Sequence, residues 1–375
     1  MSAQESSKRL GLELSLVCGN SLHPEPIRWL WDGWLAKGKL HVLAGAPGTG
    51  KTTLAVSLAA VITVGGTWPD STQSPVGDVL MWSAEDDVRD TLIPRFHAAG
   101  ADMSRVWFID QVSVEDGFRV FDPAFDLALL EEKLSQMSNP VLLIVDPIVN
   151  VIAGDSHKNG EVRRSLAPLV TLAERYRIAV FGITHFSKGT AGRDPTERVT
   201  GSVAFGALAR VVLIASKGIS EVDGEEADRL FMRSKSNIGQ EDGGFRYTLD
   251  QVPRADYEGV DASVVRWRGI VDGEARDALA IAEASFDGEG NSALREAQEF
   301  LVDLLANGPV NVTDVQTAAN RAGHTFATLK RAKQKLSVKT FKRSMSAGWA
   351  WKLAEGDQVN TKKLTQNSVG SFDIY

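Results

Sequence analysis

A single cysteine, Cys18, stands in 375 residues, so no internal disulfide is available and a reducing setting such as the cytoplasm is expected. Long apolar runs are missing too. The longest, "LAVSLAAVITV", has about half the length a membrane span needs and contains Ser57 and Thr63, so it reads as a core helix and no membrane partner is expected. No internal repeat of fixed period is present, which sets aside a repeat array. Basic excess is also lacking: the net charge of -7 excludes a globally basic nucleic-acid coat but leaves room for a local basic patch. The opening "MSAQESSKRLGLELSLVCGN" has no sustained apolar region followed by a cleavage pattern, so no secretion signal is expected.

What is present is the make-up of a globular chain, 43% hydrophobic and 24% charged, at a length that favours two domains over one. From about Trp29 to Trp267 short β-branched runs alternate with helical patterns, which predicts an α/β fold with a mainly parallel central sheet. The strand candidates are "LHVLAG", "DVLMWS", "VWFID", "VLLIVD", "IAVFGIT", "ARVVLIAS" and "RLFMRS". Each is nearly all apolar, as strands buried on both faces are, and functional residues should gather at their C-terminal ends. The expected divisions are an N-terminal extension (1–24), the sheet domain (25–272), an acidic linker (273–292), a small second domain (293–353) and a disordered tail (354–375).

"GAPGTGKT" matches the phosphate-loop pattern at every defined position, after a strand candidate and before a helix predicted from Lys51 to about Val64. The loop Gly45, Ala46, Pro47, Gly48, Thr49, Gly50, with Lys51, Thr52 and Thr53, is therefore expected to bind ATP. Its glycines turn backbone N–H groups onto phosphates, Lys51 reaches the β and γ oxygens, and the Thr52 hydroxyl helps hold Mg²⁺. Asp146, at the tip of "VLLIVD", is the expected second Mg²⁺ holder. Its plainer reading is a turn aspartate.

One more absence is informative. Hydrolysis needs a carboxylate to orient water, and the residue after Asp146 is Pro147, which cannot serve. Three acids, Glu85, Asp86 and Asp87, stand just past "DVLMWS", on the strand that follows the phosphate-loop helix. Glu85 is the expected base, with Asp86 or Asp87 near the N-terminus of a helix in "EDDVRDTLIPRF". A base there, with none beside the metal aspartate, resembles the RecA-like ATPases rather than the AAA+ type.

The order of elements over roughly residues 25 to 270 resembles the hexameric helicase branch of RecA-like P-loop ATPases, most of all the RepA-type replicative helicases of plasmids and phages. The resemblance rests on "RWLWDGWLAKGKLHVLAGAPGTGKTTLA", "VLMWSAEDD", "LLIVDP", "FGITHFSKG", "TGSVAFGALARVVLIAS" and "FMRSKSNIG". It implies a γ-phosphate sensor at His185, for which a satisfied structural histidine is the alternative. It also implies an arginine acting on the neighbouring subunit's nucleotide, matched best by Arg210, and a second trans-acting basic residue, matched by Lys235. Asn237 stands where some relatives have another base, which puts the sharing of that contact in doubt.

The resemblance further implies that the loops "NVIAGDSHKNGEVRRS" and "FSKGTAGRDPTERVTGS" line a channel for single-stranded DNA. Their cations include Lys158, Arg163, Arg164, Lys188, Arg193 and Arg198, spaced as phosphate tracking wants, though ordinary solvated loops look similar. Past the linker, "ALREAQEFLVDLLANGP" predicts a helix with Leu294, Ala297, Leu301 and Leu304 on one face. Two further helices and a hairpin in "VKTFKRSMSAGWAWKL" complete the pattern of a winged helix-turn-helix. Between Arg321 and Arg343 stand eight Lys or Arg and no acid. In "TFATLKRAKQKL", Phe326, Leu329, Ala332 and Leu336 are expected to face a core and Lys330, Arg331, Lys333 and Lys335 to face outward, toward duplex DNA or a replication protein.

These expectations converge on an ATP- and Mg²⁺-dependent DNA helicase or translocase working in replication as a homo-oligomeric, hexameric ring. Two alternatives keep most of the motifs: a RecA-like or KaiC-like ATPase that does not unwind DNA, and a nucleotide-dependent DNA-binding regulator.

Overall fold

The computed structural model describes the chain apart from residues 1–13, 188–189, 191–192, 200–202, 219–227, 254–260, 281–296, 307, 323, 325–327, 330–331, 334–335, 337, 343–348 and 354–375. It divides into two compact units, Met1–Ala280 and Ile281–Tyr375. The expected tail, Leu294, Phe326, Lys188, Lys330, Arg331 and Lys335 all lie outside the described residues. Among the described residues no helix is long and apolar enough to cross a membrane.

The first unit is built on a short hairpin, β1 (Trp29–Trp31) and β2 (Leu35–Ala36), and a nine-stranded sheet. Six strands of that sheet are parallel: β3 (Leu40–Gly45), β4 (Asp78–Ser83), β5 (Val106–Phe108), β8 (Pro140–Asp146), β9 (Ala179–His185) and β10 (Val211–Lys217). A side hairpin, β6 (Gln111–Val114) with β7 (Gly117–Val120), intervenes in sequence between β5 and β8. Three strands extend the sheet antiparallel beyond β10: β11 (Arg229–Ser236), β12 (Gly244–Pro253) and β13 (Asp261–Val271). In space the order is β13-β12-β11-β10-β3-β9-β8-β4-β5, so the phosphate-loop strand β3 is internal, with β9 between it and β8.

The apolar strand candidates all become strands, and "RLFMRS" corrects the expected geometry. Its strand β11 pairs antiparallel with β10, and the connection from Lys217 to Arg229 is shorter than the crossover that a parallel return usually needs. β12 and β13 carry the alternation of half-buried strands, with Phe245 and Tyr247 buried and the intervening Arg246 exposed.

Helices cover both faces. Helix α1 (Lys51–Val64) has its apolar side chains buried almost all round and ends at Gly65, whose left-handed backbone (φ 64) lets the Gly66 N–H reach the Val61 carbonyl at 2.8 Å. With α2 (Ile93–Ala98) it lies on the face that buries Leu43, Met81, Ile144, Phe181 and Leu213. Here Trp31 stacks on Trp34 and Trp68, each at 4.8 Å between centroids, and packs on Phe231 and Phe245 of the antiparallel strands. The opposite face buries Val42, Leu80, Val145 and Val180 with residues of α3 (Leu127–Gln136), α4 (Asn159–Tyr176) and α5 (Val203–Leu208).

The start of the expected linker belongs to this unit. Residues 275–280 are helical, and Ala275 and Leu279, one helical turn apart, are buried against Ile214 and Met232.

In the second unit residues 297–305 are helical, followed by β14 (Val310–Asn311), α6 (Val312–Arg321), helical residues at 328–329 and 332–333, then β15 (Lys339–Lys342) and β16 (Trp349–Lys352). The three strands form an antiparallel sheet in the order β14-β16-β15. Ala297, Leu301, Leu305, Val315, Ala319, Leu329, Ala332, Val338 and Trp351 make its core, so the expected apolar faces close on one another.

Candidate active site

The C-terminal ends of β3, β4, β8 and β9 lie side by side because the strands are parallel and in register: Gly45 pairs with His185, and Ser83 with Asp146. Three glycines, at the end of β3 and in the loop after it, are shaped by close neighbours or by backbone angle. A Cβ on Gly45 would stand 2.2 Å from the Ala215 carbonyl oxygen of β10, so the strands approach too closely for any side chain. Gly48 and Gly50 take left-handed φ angles of 74° and 81°, open to glycine at little cost. The Thr49 hydroxyl donates to the Ala46 carbonyl at 2.9 Å, closing the turn before helix α1 begins at Lys51. Thr53 is buried behind it.

The two expected metal holders meet. The Thr52 hydroxyl donates to Asp146 Oδ2 at 2.7 Å, and Asp146 is 1% exposed. Burial pushes the Asp146 carboxyl up to about 6, helped by the nearby charges of Glu85 and Asp86 and opposed by the Thr52 hydrogen bond and Lys51. A hydroxyl and a carboxylate suit Mg²⁺, which takes hard oxygen ligands, keeps several waters and shares phosphate oxygens. When bound, such an ion would neutralise developing charge on the phosphates.

Lys51 is almost enclosed. Its Nζ donates to the carbonyls of Gly45 at 3.2 Å and Ala46 at 3.1 Å and to His185 Nδ1 at 3.2 Å. Desolvation lowers its pKa to about 8, against the attraction of Asp146 and Glu85. An ammonium only donates, so His185 Nδ1 accepts and the ring proton sits on Nε2, which faces Glu85 Oε1 at 3.9 Å. Burial and Lys51 hold His185 below its ordinary pKa, keeping the ring neutral.

Of the three acids after β4, only Glu85 is turned to this chain of groups. Asp86 is engaged by Arg95 at 2.7 Å, and Asp87 accepts from the Arg89 and Asp90 N–H groups, capping the turn that leads into α2. The Ser83 hydroxyl accepts from the Glu85 and Asp86 N–H groups and so shapes the bend that carries Glu85 over the strand end. Lys51, Thr52, Asp146, His185 and Glu85 thus come together, from the ends of β4, β8 and β9 and the start of helix α1.

Other expected residues fall elsewhere. The Arg210 N–H donates to the Leu40 carbonyl, at the far end of β3 from Gly45; five residues of strand separate them, roughly 16 Å. Lys235 lies close by, its Nζ donating to the Gly206 carbonyl at 2.7 Å, and the Asn237 N–H donates to the Arg210 carbonyl. Arg210 and Lys235 therefore sit together, away from the phosphate loop of their own chain.

Arg198 corrects the channel expectation. It is buried, its guanidinium 4.3 Å over the Phe186 ring, because the segment folds back through a Phe186–Val199 bridge and a hydrogen bond from the Ser187 N–H to the Arg198 carbonyl. Arg193 on the same segment is exposed. After β8, Arg163 and Arg164 are exposed on the first turns of α4 rather than in a loop, and Lys158 is held by Glu161 at 3.2 Å. In the second unit Lys333, expected to point outward, is half-buried with its Nζ 4.9 Å over the Trp351 ring.

Sequence reasoning passed over Tyr247. This fully buried residue of β12 donates its hydroxyl to the Thr49 carbonyl at 2.6 Å. Its strand is not among the sequence candidates, although Phe245, Tyr247 and Leu249 alternate as a strand would, and its contact with the loop has no local signal.

No curated protein matches the chain. Residues 6–191 match the family described as "AAA domain", a span that contains the phosphate loop, Glu85, Asp146 and His185. That match and this geometry together support a P-loop ATPase domain in this part of the chain, suited to binding and hydrolysing a nucleoside triphosphate.

Proposed function

We propose that this protein is an ATP-driven DNA motor, a RecA-like helicase or translocase of RepA type that works in replication as a ring. The observation that carries the reading is the separation of two sets of groups. Lys51, Thr52, Asp146, His185 and Glu85 form a phosphate and metal site at one edge of the sheet. Arg210 and Lys235 sit together at the other end of β10, beyond reach of that site. Basic residues so arranged are useful to hydrolysis only across an interface, where an arginine supplied in trans raises the rate by about 10³ to 10⁵.

Glu85 just past the strand that follows α1, with Pro147 following Asp146, favours the RecA-like branch. In that site Glu85 orients the attacking water, Lys51 and the loop amides hold phosphate oxygens, and His185 reports their presence to Glu85 through its Nε2 proton. The exposed cations Arg193, Arg163 and Arg164 are the proposed contacts to single-stranded DNA. The second unit, helices followed by an antiparallel hairpin, is proposed as a winged helix for duplex DNA or a replication protein.

The test is ATP turnover with and without single-stranded DNA, on material whose mass is measured in the same buffer with nucleotide. The reading expects DNA-stimulated turnover by a ring-sized oligomer and unwinding of a forked duplex. DNA-indifferent turnover by a monomer would overturn it.

A further inference from the structure

The phosphate loop is braced from a strand that contributes none of the groups just described. Tyr247 stands on β12, cross-strand from Arg229 of β11 and Trp267 of β13, with its ring against Trp267 at 6.0 Å. Its hydroxyl donates to the Thr49 carbonyl at 2.6 Å across 198 residues of sequence. Desolvation raises its pKa, so the hydroxyl remains a donor at any working pH.

Leu249, two residues on and so on the same face, reaches the next residue of the loop. Its methyl Cδ1 lies 2.5 Å from where a Cβ on Gly50 would stand. β13 in turn packs against α1 and α2. The β12–β13 pair therefore grips two consecutive loop residues, Thr49 and Gly50, immediately before Lys51 and Thr52.

The direction of this grip matters. A trans peptide holds its carbonyl and its N–H on opposite sides, so fixing the Thr49 carbonyl toward Tyr247 fixes the Gly50 N–H away from it. Loop N–H groups of this kind are the donors that cradle phosphate.

We propose that Tyr247 is a positioning residue for nucleotide binding: through the Thr49 carbonyl it aims the Gly50 N–H, and the antiparallel extension of the sheet thereby sets the affinity of the loop for a nucleoside di- or triphosphate. The proposal rests on nucleotide binding at the loop and is independent of the motor reading.

Tyr247→Phe removes only the hydroxyl and keeps the ring. The Kd for ADP, measured by titration calorimetry on the full chain, is expected to rise about tenfold, equivalent to about 1.4 kcal/mol. The KM for ATP should rise with it, while kcat at saturation changes by less than about threefold, the signature of lost uniform binding. Leu249→Ala should raise the Kd in the same direction. Phe245→Leu, on the same strand but packed on Trp31 and Trp34, should lower Tm and leave the Kd unchanged.

A folded Tyr247→Phe protein whose ADP affinity stays within about twofold of wild type overturns the proposal. If that variant does not fold, Leu249→Ala decides by the same criterion. Failure of the wild-type protein to bind ADP would overturn both this proposal and the nucleotide-binding reading, whereas DNA-indifferent turnover would overturn only the motor.

Discussion

Replacing Lys51 by methionine should abolish nucleotide turnover and at the same time stabilise the ligand-free fold. The Lys51 ammonium is 6% exposed, and its pKa falls from 10.5 to about 8 despite two nearby carboxylates. At pH 7 the group is charged in both folded and unfolded chains, so the whole difference opposes folding, about 3 kcal/mol at 1.36 kcal/mol per pH unit. Methionine keeps length and apolar volume without the charge; the Gly45 and Ala46 carbonyls then lose a donor, which returns part of the gain.

The pH dependence isolates the electrostatic part. Because the folded pKa is depressed, the penalty is complete below about pH 8 and fades as pH rises toward 10.5, where the unfolded chain also loses its proton. Urea unfolding of the ligand-free proteins at pH 7 and pH 9.5 should therefore show the advantage of Lys51→Met shrinking by about 2 kcal/mol. An advantage that does not change between the two pH values would refute the reasoning, whatever its size.

Glu85→Gln should retain ATP binding while turnover falls by about two orders of magnitude or more, measured by phosphate release; near-normal hydrolysis would remove Glu85 from the role of base. His41 is fully buried with Nε2 accepting from the Ala36 N–H at 2.9 Å and Nδ1 3.2 Å from the Val180 carbonyl, and its pKa is lowered from 6.5 to about 4. Its stabilising neutral form is complete above pH 6.5 and lost as pH falls toward 4, so wild type should lose about 2 kcal/mol more than His41→Gln between pH 7.5 and 5, read by urea unfolding. Gly45→Ala should cost about 2 kcal/mol by forcing β3 from β10, a loss of Tm that Ala46→Ser at the exposed next position should not share. Arg210→Ala should bind nucleotide normally and hydrolyse it poorly; mixing it with Glu85→Gln should restore some turnover if the arginine acts between subunits, and none if it does not.

The phosphate loop, the Asp146 strand end and Glu85 were legible because their signals are local. A glycine pattern between a strand and a helix, or an acid at the tip of an apolar run, needs only neighbours in sequence to be read. The helix from Lys51 to Val64 ended where Gly65 and Gly66 allowed it to end. The same locality misled at Arg198. A cation in a glycine-containing segment looks solvated, and only the fold-back onto Phe186 buries it. Lys333 is a similar case: helical spacing puts it on an outer face, and β16 brings Trp351 beneath it.

The candidates for phosphate and metal contact could be named from local patterns, since backbone conformation and burial within a strand or helix follow from short-range sterics and periodicity. What surrounds those candidates came from long-range packing. The Lys51–His185–Glu85 alignment depends on β9 lying between β3 and β8, and the brace from Tyr247 depends on β12 returning antiparallel beside β11. Strand order is set by packing among segments far apart in the chain, and no local pattern encodes which distant neighbour a strand will choose.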